Sequence, residues 1–199
     1  MNISFLEALR MGWARFCLAP LQFALATLLF LLLALTAILT GPAALLWMWY
    51  VSPERPVGPL GNLVGGMTLL NRLHGTNRIP AAFWLGLVIW VFGLLPGFHH
   101  ALLGIIPLCV LLVQPLWLAL VFVDRYNLRL SVALKSVTFL CLNAPSVALP
   151  AMAFGLLGWS GALLFGVGIL ITLPIAIHAQ LRWLQDRHIF LVAAIQKAS

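Results

Sequence analysis

His99-His100, directly after Pro96-Gly97-Phe98, is the one place where two imidazoles stand side by side. Adjacent imidazoles can touch a metal ion, but a zinc site needs further ligands and commonly an i, i+4 histidine pair. No third ligand stands nearby, and His178 is alone in an apolar run. Polar-tip or interhelical hydrogen-bonding roles are the expectation for these histidines.

The 4 acids, Glu7, Glu54, Asp124 and Asp186, all fall at the ends of apolar stretches or in connections. That placement speaks against an ion-coupled pump with a midplane carboxylate. Asp124 shares its segment with Arg125, Arg129 and Lys135. It reads as structural: a carboxylate opening the next surface helix, accepting backbone amides or pairing with a neighbouring cation. The alternative, a proton or cation site, requires it to line an aqueous path.

Nucleophile sets are not recognisable. Ser160 lies in Gly-Trp-Ser-Gly, a turn, and there is no HExxH, GxSxG, P-loop or GxGxxG in usable context. The expectation is therefore no catalytic, cofactor-binding or metal residue. Proline is the remaining candidate. Pro107 and Gln114-Pro115 interrupt one apolar run, and Thr172 precedes Pro174 in the last. Proline frees backbone carbonyls inside a membrane helix, which either build a broken-helix binding site or are covered by packing. Packing is the simpler reading, and Gly155, Gly158, Gly161, Gly166 and Gly168 fit it as places for close helix approach.

These residues are embedded in an unusual composition. Of the 199 residues, 63% are hydrophobic and 8% charged, and the mean hydropathy is +1.10. A soluble domain carries about 25% charged residues. The bilayer is the solvent this composition calls for. The net charge of +7 is spread one to three residues at a time between apolar runs, with no basic block or aromatic-studded stripe. It fits orientation in a membrane and attraction to anionic headgroups, not nucleic acid. The 3 cysteines, Cys17, Cys109 and Cys141, are far apart and form no CxxC, so they read as small hydrophobes.

Five apolar stretches stand out: Leu21–Val51, Ala81–Leu95, Ala101–Val123, Phe139–Leu157 and Ala162–Leu181. The first is too long for one ordinary span of about 20 residues, and Gly41-Pro42 interrupts it. If it crosses once, Arg10 and Arg15 face away from the other nine of the 11 Lys and Arg residues. If it turns back, all 11 share one side, and the positive-inside rule makes that side cytoplasmic. Against a full return, Ala43 to Val51 rises only ~14 Å as a helix. A hairpin of unspecified depth is expected, giving five to six membrane segments in three helical hairpins.

A weak threefold repeat accompanies this plan. Pro20, Pro80 and Pro145 mark the starts of the hairpins, and Ala8-Leu9-Arg10 and Ala19-Pro20 match Ala133-Leu134-Lys135 and Ala144-Pro145. The basic segments read as amphipathic helices on the membrane surface. In the first, Ser4-Phe5-Leu6-Glu7 has the capping-box pattern, with Phe5, Leu6, Leu9, Trp13 and Phe16 on one face. Segment 60–74 repeats the idea less strongly, and 128–141 more weakly still. The N-terminal apolar run exceeds a secretory h-region and lacks a convincing cleavage site, so it reads as a retained helix.

Gly41-Pro42 after the first apolar helix, Val123-Asp124 leading into Ala133-Leu134-Lys135-Ser136, and Gly166-Val167-Gly168 followed by Thr172-Leu173-Pro174 carry a resemblance. On these motifs the chain resembles a family of small uncharacterised bacterial polytopic integral membrane proteins. That family is related to the membrane-anchor domain of some glycerophosphodiester phosphodiesterases. The resemblance implies a six-segment membrane domain with cytoplasmic termini. It supplies no activity, because the phosphodiesterase barrel is not encoded here.

The expectation is thus an all-α, single-domain (1–199), polytopic transmembrane bundle of the inner membrane, with both termini cytoplasmic. Its structural motif residues are Gly41, Pro42, Asp124, Ser136 and Pro174. The leading function is a non-catalytic scaffold, assembly factor or accessory subunit. Its partners would be the anionic cytoplasmic lipid surface and other membrane proteins. A small-solute transporter or channel, and a membrane-embedded enzyme, are the alternatives.

Overall fold

The computed structural model describes residues 3–36, 39–53, 78–98, 105–160 and 168–198. Among these the chain is entirely helical: α1 (Phe5–Leu18), α2 (Pro20–Ala34), α3 (Thr40–Val51), α4 (Arg78–Phe98), α5 (Ile105–Tyr126), α6 (Leu130–Asn143), α7 (Pro145–Ser160), α8 (Ile169–Asp186) and α9 (His188–Ala198). Segment 60–74, His99-His100, Gly161 and Gly166 lie outside the described residues.

Proline chemistry sets the two sharpest corners. A residue before proline is pushed out of the helical region by the pyrrolidine ring. Ala19 accordingly sits at φ −154°, ψ 62°, and Ala144 at φ −137°, ψ 59°. Pro20 and Pro145 then open new helices, where a missing N–H costs nothing. The results are elbows of 100° between α1 and α2 and 114° between α6 and α7. Both leading helices have 14 residues, so the sequence match between these regions extends to matched geometry. The expected single stretch Phe139–Leu157 is therefore two helices, because Pro145 divides it.

Packing follows a cyclic order. Consecutive helices α2 and α3, α4 and α5, and α7 and α8 form packed pairs. The first helix of each pair also rests on the second helix of the pair before it: α4 on α3, α7 on α5, and α2 on α8 to close the ring. The leading helices obey the same rule, α1 lying on α8 and α6 on α5. The second helices α3, α5 and α8 thus form the inside. Leu45, Met48, Leu118, Leu120, Phe122, Leu173, Ile177 and Leu184 are completely buried there.

Several sequence expectations need correction. Gly41-Pro42 is not the turn of the first pair. It lies in the first turn of α3, where proline again needs no donor, and the turn precedes it. Gly41 is required by contact: a Cβ there would strike the carbonyl of Ala82 on α4, and one at Gly86 would strike the Gly41 backbone. Pro80 is inside the first turn of α4 and does not begin it, and Pro107 likewise sits in the first turn of α5. Pro115, Pro150 and Pro174 are the internal prolines.

The capping box of α1 is present, with Glu7 N–H donating to Ser4 Oγ at 3.2 Å and Ser4 N–H to Glu7 Oε2 at 3.4 Å. The expected apolar face of α1 does not hold as one surface. Ala8, Gly12 and Phe16 are buried against the protein, whereas Leu6 and Trp13 are exposed. Small residues win the protein side because a Cβ at Gly12 would collide with the carbonyl of Ile175 on α8.

Asp124 is also misplaced by the sequence reading. It lies in the last turn of α5, whereas the N-cap of α6 is Arg129, which makes no side-chain capping bond. The link between the two helices contains Asn127 at φ 51°, a left-handed conformation that asparagine tolerates better than most residues.

Candidate functional site

Polar groups are scarce inside, so where they meet is informative. The polar atoms of α3, α5 and α8 form rungs across the middle of the ring. Trp117 Nε1 donates to Gln180 Oε1 at 3.2 Å, and Gln180 Nε2 donates to the Ala151 carbonyl at 2.8 Å. The completely buried Gln180 thus joins α5, α7 and α8. Trp47 lies beside Trp117, ring centres 6.4 Å apart, and donates to Thr27 Oγ1 at 3.2 Å. The Thr27 hydroxyl donates in turn to the Phe23 carbonyl at 2.7 Å. Gln114 is buried with its amide over Gly155, where no Cβ intervenes.

Below this layer His178 Nδ1 is 2.9 Å from the Val51 carbonyl. That oxygen belongs to the last residue of α3, one of the carbonyls a helix end leaves without an internal donor. A carbonyl only accepts, so Nδ1 carries the proton in this contact. The interhelical role expected for His178 is the one it performs. Trp183 Nε1 ties α8 to the first turn of α7, donating to the Val147 carbonyl at 3.2 Å.

At the opposite ends of the pairs two threonines repeat one device. Thr40 Oγ1 reaches the carbonyls of Ala34 and Thr36 at 3.1 and 3.0 Å. Thr172 Oγ1 reaches those of Gly158 and Gly168 at 2.7 and 3.1 Å. Each covers an orphan carbonyl at the end of the preceding helix. Each also stands two residues ahead of a proline, in Thr40-Gly41-Pro42 and Thr172-Leu173-Pro174. The shared Thr-x-Pro pattern was visible in the sequence. Reading Gly41-Pro42 and Pro174 as separate motifs hid it.

A third cluster joins distant parts of the chain. Asp186 Oδ2 accepts from Ile3 N–H at 3.0 Å, and Arg187 Nη2 donates to the Ile3 carbonyl at 3.0 Å. Asp186 and Arg187 pair at 3.2 Å, and the guanidinium lies 3.3 Å from the centre of the Trp183 ring. Phe154 packs edge-on against Trp183 and stacks on Phe5 at 4.3 Å. Burial draws the Arg187 pKa below its ordinary value and the Asp186 carboxylate opposes this. Local sequence patterns carried no signal for this clamp.

The sequence-derived motif residues do not converge. Gly41, Pro42 and Pro174 serve the turn ends of their pairs. Asp124 is half-buried at the other end of α5. Ser136 is buried and donates to its own helix at Val132, 2.8 Å away. Among the described residues no three His, Cys, Asp or Glu side chains meet at one point. The interior offers amides, indoles, hydroxyls and one imidazole, groups that hold helices together by hydrogen bonds. No protein-family model, curated protein or solved structure matches the chain.

Proposed function

We propose that the chain is a multi-pass membrane protein that acts by packing against other membrane proteins or lipids, as a scaffold, assembly factor or accessory subunit, without catalysis. The observation that carries this reading is the outer face of α2. Leu21, Leu25, Leu28, Leu29, Leu32 and Leu35 are all exposed, forming a stripe ~21 Å long at helical spacing. No charged residue occurs between Arg15 and Glu54. In water such a patch exceeds what a monomer keeps exposed, whereas a helix apolar on every side suits lipid.

Among the described residues no single helix is long and apolar enough to cross a membrane; two bent pairs pass by length and composition only when α1 is counted with α2 and α6 with α7. In this reading α2, α7 and the other paired helices form three hairpins in the bilayer, while α1, α6 and α9 lie along its surface. The α2–α3 hairpin is re-entrant, since α3 rises only ~18 Å against a hydrocarbon core of ~30 Å. Arg10, Arg15, Arg125, Arg129, Lys135, Arg182, Arg187 and Lys197 belong to the surface helices or the adjoining helix ends. Their sign makes that face cytoplasmic in the inner membrane.

A transport reading is favoured by one observation, the burial of Gln114 and Gln180 on helices carrying Pro115 and Pro174. Four measurements test the membrane reading and separate packing from transport. Alkaline carbonate should leave the protein in the membrane pellet, and release into the supernatant would end the membrane reading. Single cysteines at Asn127 and Gln196, in a cysteine-free background, should be shielded from an impermeant thiol reagent in intact cells, whereas one at His99 should react. Purification in mild detergent should then retain a stoichiometric membrane-protein partner. Solute flux by the purified chain in vesicles, lost in Gln180→Leu, would replace packing with transport.

A further inference from the structure

Helix α6 has two sides to satisfy: α5 on one and α9 on the other. Between α6 and α9 lies a groove of about 450 Å³. It is lined by Lys135, Thr138, Phe139, Leu142 and Asn143 from α6 and by Lys197 from α9. Among the described residues no carboxylate lines it. Two ammonium groups thus share one cleft.

The remaining groups fit a particular guest. Asn143 uses one amide proton on the Phe139 carbonyl at 3.0 Å, and a primary amide carries a second donor. Leu142, which also lines it, is 76% exposed. A cleft lined by two cations, an amide donor and a bare leucine is matched by a phosphate ester attached to a hydrocarbon chain. The 114° elbow at Ala144 turns α6 along the surface while α7 descends, which sets the lysines at headgroup height.

We infer that the α6–α9 groove seats one anionic phospholipid, its phosphate between Lys135 and Lys197 and an acyl chain over Phe139 and Leu142. The inference rests on the membrane reading above. It goes further by fixing which residues hold the lipid.

The test is native mass spectrometry of the full chain released from nanodiscs of mixed phosphatidylglycerol and phosphatidylcholine. The wild type should retain one phosphatidylglycerol in preference to phosphatidylcholine. Lys135→Gln with Lys197→Gln should weaken that retention about thirtyfold. Arg10→Gln with Arg182→Gln removes the same charge from the same face and should weaken it less than threefold. Equal weakening in both pairs, or none in the lysine pair, overturns the groove. Retention that glycerol phosphate abolishes at millimolar level overturns the lipid as occupant. Failure of the chain to enter nanodiscs at all would instead count against the membrane reading, and carbonate extraction reports that separately.

Discussion

The regions α1–α2–α3 and α6–α7–α8 share a plan yet hold their leading helices in different ways. Both begin with a 14-residue helix, turn at Ala-Pro and continue with a helix beginning at proline. Both use a Thr-x-Pro threonine to cover the end of the second helix. In the first region, side chains fasten the opening turn: the Ser4–Glu7 box and the grip of Asp186 and Arg187 on Ile3. In the second, a short covalent link through Asn127 follows directly from α5, and Arg129 caps nothing. A helix delivered by a tight link has little freedom left for a cap to remove. One that must be brought in from afar needs side-chain fasteners.

The sharpest way to break this comparison is at the contact each leading helix makes. Gly12→Val drives a side chain into the Ile175 backbone and should cost ~3 kcal/mol, near the upper end for overpacking. The matching position on α6 is Val137, already a buried side chain, and Val137→Ile should cost ~1 kcal/mol. Chemical unfolding in detergent, followed by near-ultraviolet circular dichroism, measures both. Equal losses would mean that the two helices dock alike.

Arg187→Ala comes next. It removes the bond to the Ile3 carbonyl and the stacking on Trp183, and should destabilise by ~2 kcal/mol, the range for a charged hydrogen bond. Limited proteolysis should cut within α1 earlier than in the wild type while α6 stays protected. Faster cleavage of both would make the clamp a global support and not a fastener of one helix.

The smallest expected effect is the most discriminating. Ser4→Ala should cost ~1 kcal/mol through loss of the cap. Arg129→Ala, at the equivalent N-cap, should stay within ~0.5 kcal/mol as an ordinary surface change. Thermal unfolding in one detergent suffices for the pair. A larger loss from Arg129→Ala would show that α6 depends on its first residue after all.

These contrasts also mark what the sequence could and could not reveal. The Ser4 cap and the Ala-Pro breaks were legible because each is decided within a few residues. The apolar face of α1 was not, because hydrophobicity alone cannot distinguish lipid from protein as the neighbour. Leu6 and Trp13 were grouped with Phe16 on one membrane-surface face, whereas the contact with the protein is made by Ala8, Gly12 and Phe16. Asp124 was assigned to the wrong helix because α5 continues through Asp124-Arg125-Tyr126 before the link begins. The clamp joins residues 183 positions apart, and the Trp117–Gln180 rung joins residues 63 apart. Neither distance leaves a local pattern to read.

The closing contact of the ring, α2 against α8, has a consequence for biosynthesis. A ribosome delivers the chain in order, so α1 and α2 emerge long before the helix that both rest upon. Until Ile169–Asp186 enters, Gly12 has no carbonyl to approach and Ile3 has no carboxylate to bind. The α4 and α7 seats are ready when those helices arrive, because α3 and α5 precede them. The first hairpin alone must wait, held meanwhile by its own Thr27–Trp47 bond and the stacking of Phe30 on Trp47. A nascent chain halted before Ile169 is therefore an open arc with two unseated helices at its leading edge, the form in which chaperones and quality-control proteases would meet it.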